Sequence, residues 1–237
     1  MRINTEFMIE TFWLALKGVP LTLQITFVAL TFSLIIGFLF ALGKVHRVKI
    51  VAPVISAYVS LIRGTPQVLQ ILIVYSLIPS LLNVIVTKLQ LNFNVWDVDP
   101  IVYAYIVFAI NTTALLTETF RSALLSIDKL QMEAALSVGL TPFWANVRII
   151  FPQAFEAALP NICTTTVNLI KGTSLAFIMS VKEVTAIAKT QASYGYNYIE
   201  SYVDIFVIYL VLCLLVQGIF KIIEKRAQAH RKMVISV

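Results

Sequence analysis

Most of the side chains that could do chemistry in this chain sit inside apolar runs. Between Ile101 and Leu124 lie Asn111, Thr112, Thr113, Thr117, Glu118 and Arg121. On a helix Asn111, Glu118 and Ser122 share one face, because seven residues make nearly two turns. Between Gln153 and Val181, Asn161, Thr164, Thr165, Asn168, Lys171 and Gly172 fall within an arc of roughly 120° at 100° per residue. Amides and hydroxyls donate and accept, so such groups can replace water around a polar solute. A polar stripe of that width on a membrane helix suggests the wall of a wet cavity. The competing reading is hydrogen bonding between helices, worth roughly 0.6 kcal/mol per contact. Lys171, beside Gly172, is placed to attract a carboxylate or to gate a break in the helix. Glu118 and Arg121, three residues apart, can neutralise each other, so Glu118 has a structural reading beside a transport one.

Enzymatic patterns are missing. The sequence has no H-E-x-x-H, no G-x-S-x-G and no G-x-x-x-x-G-K-[ST], so it carries no nucleotide site of its own. Its two histidines, His46 and His230, both stand beside basic residues. Its two cysteines, Cys163 and Cys213, lie in apolar runs and read as packing residues; neither a disulfide framework nor a metal spacing follows. An intramembrane enzyme built on Glu118 or Lys171 is therefore the weaker reading. A purely structural anchor is opposed by the polar stripes.

The elements that must position these groups are membrane helices. With 237 residues, 59% hydrophobic and 13% charged, and a mean hydropathy of +0.88, the chain departs from soluble-domain composition. The net charge of +6 does not point to nucleic acid, because many of its cations cluster beside apolar spans, where they set orientation. Residues 1–18 read as a short amphipathic lead-in. Val19–Leu42 is long enough to span and too long for a signal-peptide core. Lys44, Arg47 and Lys49 follow and belong in the cytoplasm, which places the N-terminus outside. Residues 50–62 are too short to cross, and are read as lying at or dipping into the cytoplasmic side. Arg63-Gly64-Thr65-Pro66 breaks the chain, with Thr65 as cap and Pro66 opening a span to about Val86. Further spans are expected over Ile101–Leu124, over Gln153–Val181 with breaks at Pro160 and near Gly172, and over Val203–Ile223. The segment Lys182–Ser201, with Tyr194, Tyr196 and Tyr198, reads as an external loop, and Asp204 as reaching water. Lys221, Lys225, Arg226, Arg231 and Lys232 mark a basic tail inside.

Residues 133–152 form a polar-edged island between these spans. Asp128 is a plausible N-cap, with Gln131 as its capping-box partner, for a helix running to Val138. Gly139 is the left-handed residue that ends it. Thr141 and Pro142 restart a helix as cap and first residue, and Pro152 closes it. Such an elbow suits a docking knob for a soluble partner.

Glu133-Ala134-Ala135, then Gly139, then Ile149 and Phe151-Pro152 resembles the EAA loop of bacterial ABC importer permeases; only Phe151 departs, standing where that family has Leu. Arg63-Gly64-Thr65-Pro66-Gln67 resembles the polar amino acid branch of the same family. The resemblance covers about residues 19–224 and implies an all-α polytopic fold: five transmembrane helices with a cytoplasmic coupling-helix elbow, the type I importer transmembrane domain. It implies domains 1–18 (external lead-in), 19–224 (transmembrane) and 225–237 (basic cytoplasmic tail), in the bacterial cytoplasmic membrane. It further implies ATPase coupling through Glu133, Ala134, Ala135, Gly139, Pro142 and Pro152, and no cofactor, since ATP would be bound by a cytoplasmic ATPase. The other expected partners are an extracytoplasmic solute-binding protein and a second permease copy or paralogue. The expected cargo is an amino acid or close derivative, with another small polar solute as the alternative. Asn111, Glu118, Asn161, Thr165, Asn168 and Lys171 are the expected solute-pathway residues.

Overall fold

The computed structural model describes residues 4–235, with side chains through 227, so the side chains of His230, Arg231 and Lys232 in the expected basic tail lie outside that range. All regular elements among the described residues are helical: α1 (Thr5–Leu16), α2 (Val19–Val45), α3 (Val51–Arg63), α4 (Gln67–Lys88), α5 (Pro100–Leu125), α6 (Lys129–Ser137), α7 (Pro142–Ala145), α8 (Phe151–Gly172), α9 (Val184–Gly195) and α10 (Tyr198–Ile235). Short 3-10 turns cover Val95–Asp97 and Thr173–Met179, and a π turn covers Asn146–Ile150. Among the described residues, five helical stretches are long and apolar enough to cross a membrane.

The bundle is built on α2 and α5. Along α2 the small residues Ala29, Ser33, Gly37 and Ala41 recur every fourth position and are buried, which lets two backbones come close. A Cβ on Gly37 would stand 3.1 Å from Leu116 Cβ and 3.2 Å from the Thr117 nitrogen. Ser33 donates to the Ala109 carbonyl at 2.9 Å and accepts from Thr113 at 3.1 Å. Gln24 donates to the Tyr105 hydroxyl at 2.7 Å. Rising numbers on α2 meet rising numbers on α5, so the two helices run parallel. The end that carries Lys44, Arg47, Lys49 and the elbow is called here the basic end, and its opposite the far end.

Parallel α2 and α5 require the chain to cross back between them, and α3 and α4 do so in two pieces. Gly43 lies beside Ile55 and Val51, Phe40 meets Tyr58 edge-on, and Ile55, Val59 and Ile62 pack with Ala114 and Ile110. Above the break, Gln70 meets Asn111 and Tyr75 meets Tyr103. Of the two readings of residues 50–62, dipping in is the one that holds: α3 climbs beside the basic-end part of α2 and leads into α4. Its thirteen residues are too short to cross alone, but α4 continues in the same direction, so the sidedness of every later loop is kept. Thr65 does not cap α4. Its hydroxyl turns back to the Leu61 carbonyl at 2.9 Å, and Pro66 is the cap residue.

α8 returns antiparallel to α5, with Ala154, Ala158 and Ile162 against Leu116, Phe120 and Ala123 at the basic end. Lys182–Ser201 is not a loop. Glu183 caps α9, where Ala192 is buried and Val184 and Ala188 pack with Ala15 of α1 and Ile208 of α10. At the α1–α2 junction a Cβ on Gly18 would stand 2.5 Å from the Val184 nitrogen, so the two segments cross where only glycine fits. α10 begins at Tyr198, five residues before the expected start. Asp204 on it is 4% exposed rather than in water, and its Oδ2 has no partner.

Candidate functional site

The elbow forms as its caps dictate. Asp128 accepts from the Leu130 amide at 3.0 Å. At the other end of α6 Gly139 has φ +86°, the Leu140 amide reaches the Ala135 carbonyl at 3.1 Å and the Gly139 amide reaches Leu136 at 3.0 Å. This paired closure satisfies carbonyls that a helix end otherwise leaves free. Thr141 and Pro142 then open α7 as cap and first residue. Met132, Ile149 and Ile150 turn inward onto the basic-end core, and Ala135 is buried. Glu133, Ala134, Gly139 and Pro142 are exposed. Beside them Leu136, Val138 at 77%, Phe143 at 66% and Trp144 are exposed, with the Arg148 guanidinium 4.7 Å above the Trp144 ring. These apolar residues gather as one exposed patch on a short polar-edged elbow.

Pro152 does not close this element. α7 passes through the π turn Asn146–Ile150 straight into α8, and Pro152 sits in the first turn of α8. Proline removes a hydrogen bond and crowds the carbonyl four residues back. The wider π turn just before it relieves that crowding and lets the helix continue.

The second feature is a polar face shared by three helices. α5 is covered on one side by α3, through Ala114, and on another by α8, through Leu116, Phe120 and Ala123. Between them it shows Asn111, Leu115, Glu118 and Ser122, none of them buried. α8 adds exposed Asn161, Thr164, Asn168 and Lys171. Thr165 is turned into the packing instead, 8% exposed, so it does not line this face. α3 adds Ser56, Ser60 and Arg63, spaced i, i+4, i+7 on its side away from α2; Ser56 is half-buried and the other two are exposed.

The two helix breaks meet above this face. The Gln70 amide donates to the Ile62 and Thr65 carbonyls at 2.7 and 3.1 Å and accepts from Asn111 at 2.9 Å. It thereby satisfies carbonyls that the end of α3 leaves unpaired. Gln67 lies against Gly172, where a Cβ would stand 3.2 Å from Gln67 Nε2. α8 passes into its 3-10 extension just there. Interrupted helices at membrane depth are tolerated where they line a cavity or are buried in protein. Lower on the face, Lys44 donates to Glu118 Oε1 and Arg121 to Glu118 Oε2 at 2.7 Å. Glu118 thus takes part in a bridge between α2 and α5 beyond the local pair expected. Lys171 also lines a groove of about 430 Å³ between α8 and α10, with Ser174, Tyr209 and Gln217.

Sequence reading missed three groups. The Ser56–Ser60–Arg63 stripe was legible by spacing, but α3 was not read as lying within the bundle. The Lys44–Glu118 bridge carries no local signal. Glu183 was hidden in a stretch read as a loop. It is fully buried, accepts from the Thr185 and Ala186 amides at 2.8 and 3.0 Å, and accepts from the Tyr209 hydroxyl at 2.8 Å. Tyr209 in turn stands 3.4 Å from the Thr173 hydroxyl. One carboxyl therefore ties α9, α10 and the 3-10 break together.

Comparison with known proteins agrees with this architecture. The family model described as "Binding-protein-dependent transport system inner membrane component" matches residues 33–229. The probable amino-acid permease protein YxeN of Bacillus subtilis (strain 168) is 35% identical over 213 residues, covering 90% of this chain and 91% of that protein. The L-cystine transport system permease protein TcyB of the same organism is 33% identical over 223 residues, covering 93% and 90%. A solved structure of an amino acid ABC transporter with histidines superposes with a TM-score of 0.79 at 28% identity, covering 95% of this chain and 100% of that one. The chain therefore belongs to the binding-protein-dependent transport system inner membrane components, as the membrane-spanning permease subunit of an ABC importer.

Proposed function

We propose that this permease carries an amino acid or a close derivative along the polar face of α3, α5 and α8, with the far end outward and the basic end in the cytoplasm. Lys44, Arg47 and Lys49 at one end support that orientation, and the amino acid permeases among its relatives support the solute class. One observation carries the path. A single chain leaves three polar helix faces open side by side, below the point where two broken helices meet. In hydrocarbon that surface is costly, so a second copy or a paralogue closes it and leaves a wet passage between the two. The elbow docks on the cytoplasmic ATPase, and a binding protein delivers solute at the far end. The permease is the non-catalytic component, and ATP is bound by the ATPase partner. Docking that differs between open and closed ATPase states biases the paired bundles between two conformations.

The test is uptake by proteoliposomes containing the permease, its ATPase and its binding protein. ATP-dependent accumulation of a radiolabelled amino acid from a panel of glutamine, arginine and cystine is expected. No uptake of any of them removes the solute class, and uptake indifferent to ATP removes the coupling.

A further inference from the structure

The cation at the top of α3 is unusual for its depth. Arg63 lies twelve residues beyond Val51 on one helix, about 18 Å at 1.5 Å per residue, past the middle of a hydrocarbon layer of about 30 Å. Its neighbours agree: Ile62 packs with Ile110 and Ala114, and Gln70 meets Asn111, near the midpoint of α5. A guanidinium at that depth is expensive unless it faces water, a countercharge or a cavity. Arg63 is exposed. Among the described residues it makes no ion pair, since both ion pairs found belong to Glu118 with Lys44 and Arg121.

The direction in which Arg63 faces is set by the rest of α3. Tyr58 and Val54 turn toward Phe40 and Ile36 of α2. Arg63 lies on the side away from α2, in line with Ser60 and Ser56, and flanks the Val59 and Ile62 side that packs on Ala114 and Ile110 of α5. The carboxylate on that part of α5, Glu118, is already bridged by two cations. The upper part of the face therefore presents Arg63 without an ion pair among the described residues, one turn of chain below Gln70 and the Asn111 amide that meets it.

We infer that Arg63 is the receptor for the solute's carboxylate, holding it where the passage meets the two helix breaks. A guanidinium matches a carboxylate with two parallel N–H donors, which a lysine ammonium cannot reproduce. Ser60 and the Asn111 and Asn168 amides supply neutral hydrogen bonds to the remainder of the solute. The inference rests on the solute class proposed above.

Equilibrium binding to the purified permease–ATPase complex tests it, with the binding protein left out so that its own selectivity does not enter. The probes are radiolabelled glutamine, arginine and cystine, competed by the carboxamide of whichever binds. Wild-type complex is expected to bind one of them and to reject its carboxamide. Arg63→Gln is expected to lose roughly ten-fold or more in affinity and to stop discriminating against the carboxamide, with Arg63→Lys between. Assembly with the ATPase, read by size-exclusion, separates lost binding from lost folding. If Arg63→Gln fails to assemble, Arg63→Lys alone decides, and wild-type affinity together with wild-type discrimination in it overturns the inference. The inference also fails if Arg63→Gln assembles and binds as wild type does, while the solute class stands. A wild-type complex that binds none of the three removes the solute class, and this inference with it.

Discussion

Burial pushes the Glu183 carboxyl up to about 7, against the opposing pull of the Thr185 and Ala186 amides and the Tyr209 hydroxyl that it accepts from. The sign of the consequence follows from linkage. With the folded value raised above the ordinary 4.5, the folded protein keeps a proton that the unfolded chain has released. Stability from this group is therefore greatest below the unfolded value and declines as pH rises through 7. Thermal unfolding of the solubilised protein should give a higher midpoint at about pH 5 than at about pH 8, and Glu183→Gln should shrink that difference. Equal pH dependence in the two proteins would show that the carboxyl carries no such linkage. A second residue-level expectation concerns Asn168, which is exposed on the polar face beside the buried Thr165. Asn168→Leu should lower uptake about ten-fold by removing a hydrogen-bonding group from the path. Phe27→Leu, at a side chain 72% exposed on α2, should leave uptake near wild type. Equal uptake in both variants would make the α8 stripe a packing surface.

At the scale of elements, legibility tracked how local the cause was. The elbow was readable because Asp128, Gly139, Thr141 and Pro142 each act within one turn of chain, and all four behave as their types require. The break at Gly172 was readable for the same reason, whereas the break expected at Pro160 is absent, since α8 runs through it from Phe151 to Gly172. Pro152 misled because a following residue's constraint can be absorbed by a preceding π turn, which no single residue announces. The depth of α3 stayed open between lying at the surface and dipping in because thirteen residues were weighed alone, although α4 continues in the same direction. α9 looked like a loop because its buried side is mostly small, with Thr185, Ala188 and Ala192 beneath a polar exterior. Its burial depends on α1 and α10, which lie far away in sequence. Gly139 offers the clean test of the elbow. A side chain there meets no atom within 4 Å, so substitution acts through φ +86° alone. Gly139→Val should cost on the order of 1–2 kcal/mol locally. Co-purification of the ATPase should fall while membrane insertion is unchanged; undiminished co-purification and uptake would take the coupling role away from this turn.

For the whole molecule the central relation is the parallel run of α2 and α5, since it decides which loops share an end. The 89–99 connection and the α9–α10 turn at Tyr196 fall at the far end, while His46 and the elbow fall at the basic end. If the basic end is cytoplasmic, the far-end positions must be reachable from outside intact cells. Single cysteines at Phe93, 55% exposed, and Tyr196, 84% exposed, serve as far-end probes; Phe143, 66% exposed, serves at the elbow. His46, also exposed, marks the loop after α2. The native Cys163 and Cys213 are best replaced by Ala first, because Cys163 is only half-buried. A membrane-impermeant maleimide should label positions 93 and 196 on intact cells, and positions 46 and 143 only after permeabilisation. The four probes are not independent: the α2–α5 pairing ties 46 to 143, and the α9 packing on α1 ties 196 to the far end. A mixed pattern would therefore contradict the fold, whereas a fully inverted pattern would keep the fold and reverse its insertion. In that second case the elbow would face away from the ATP of the cytoplasm, and no ATPase there could drive it.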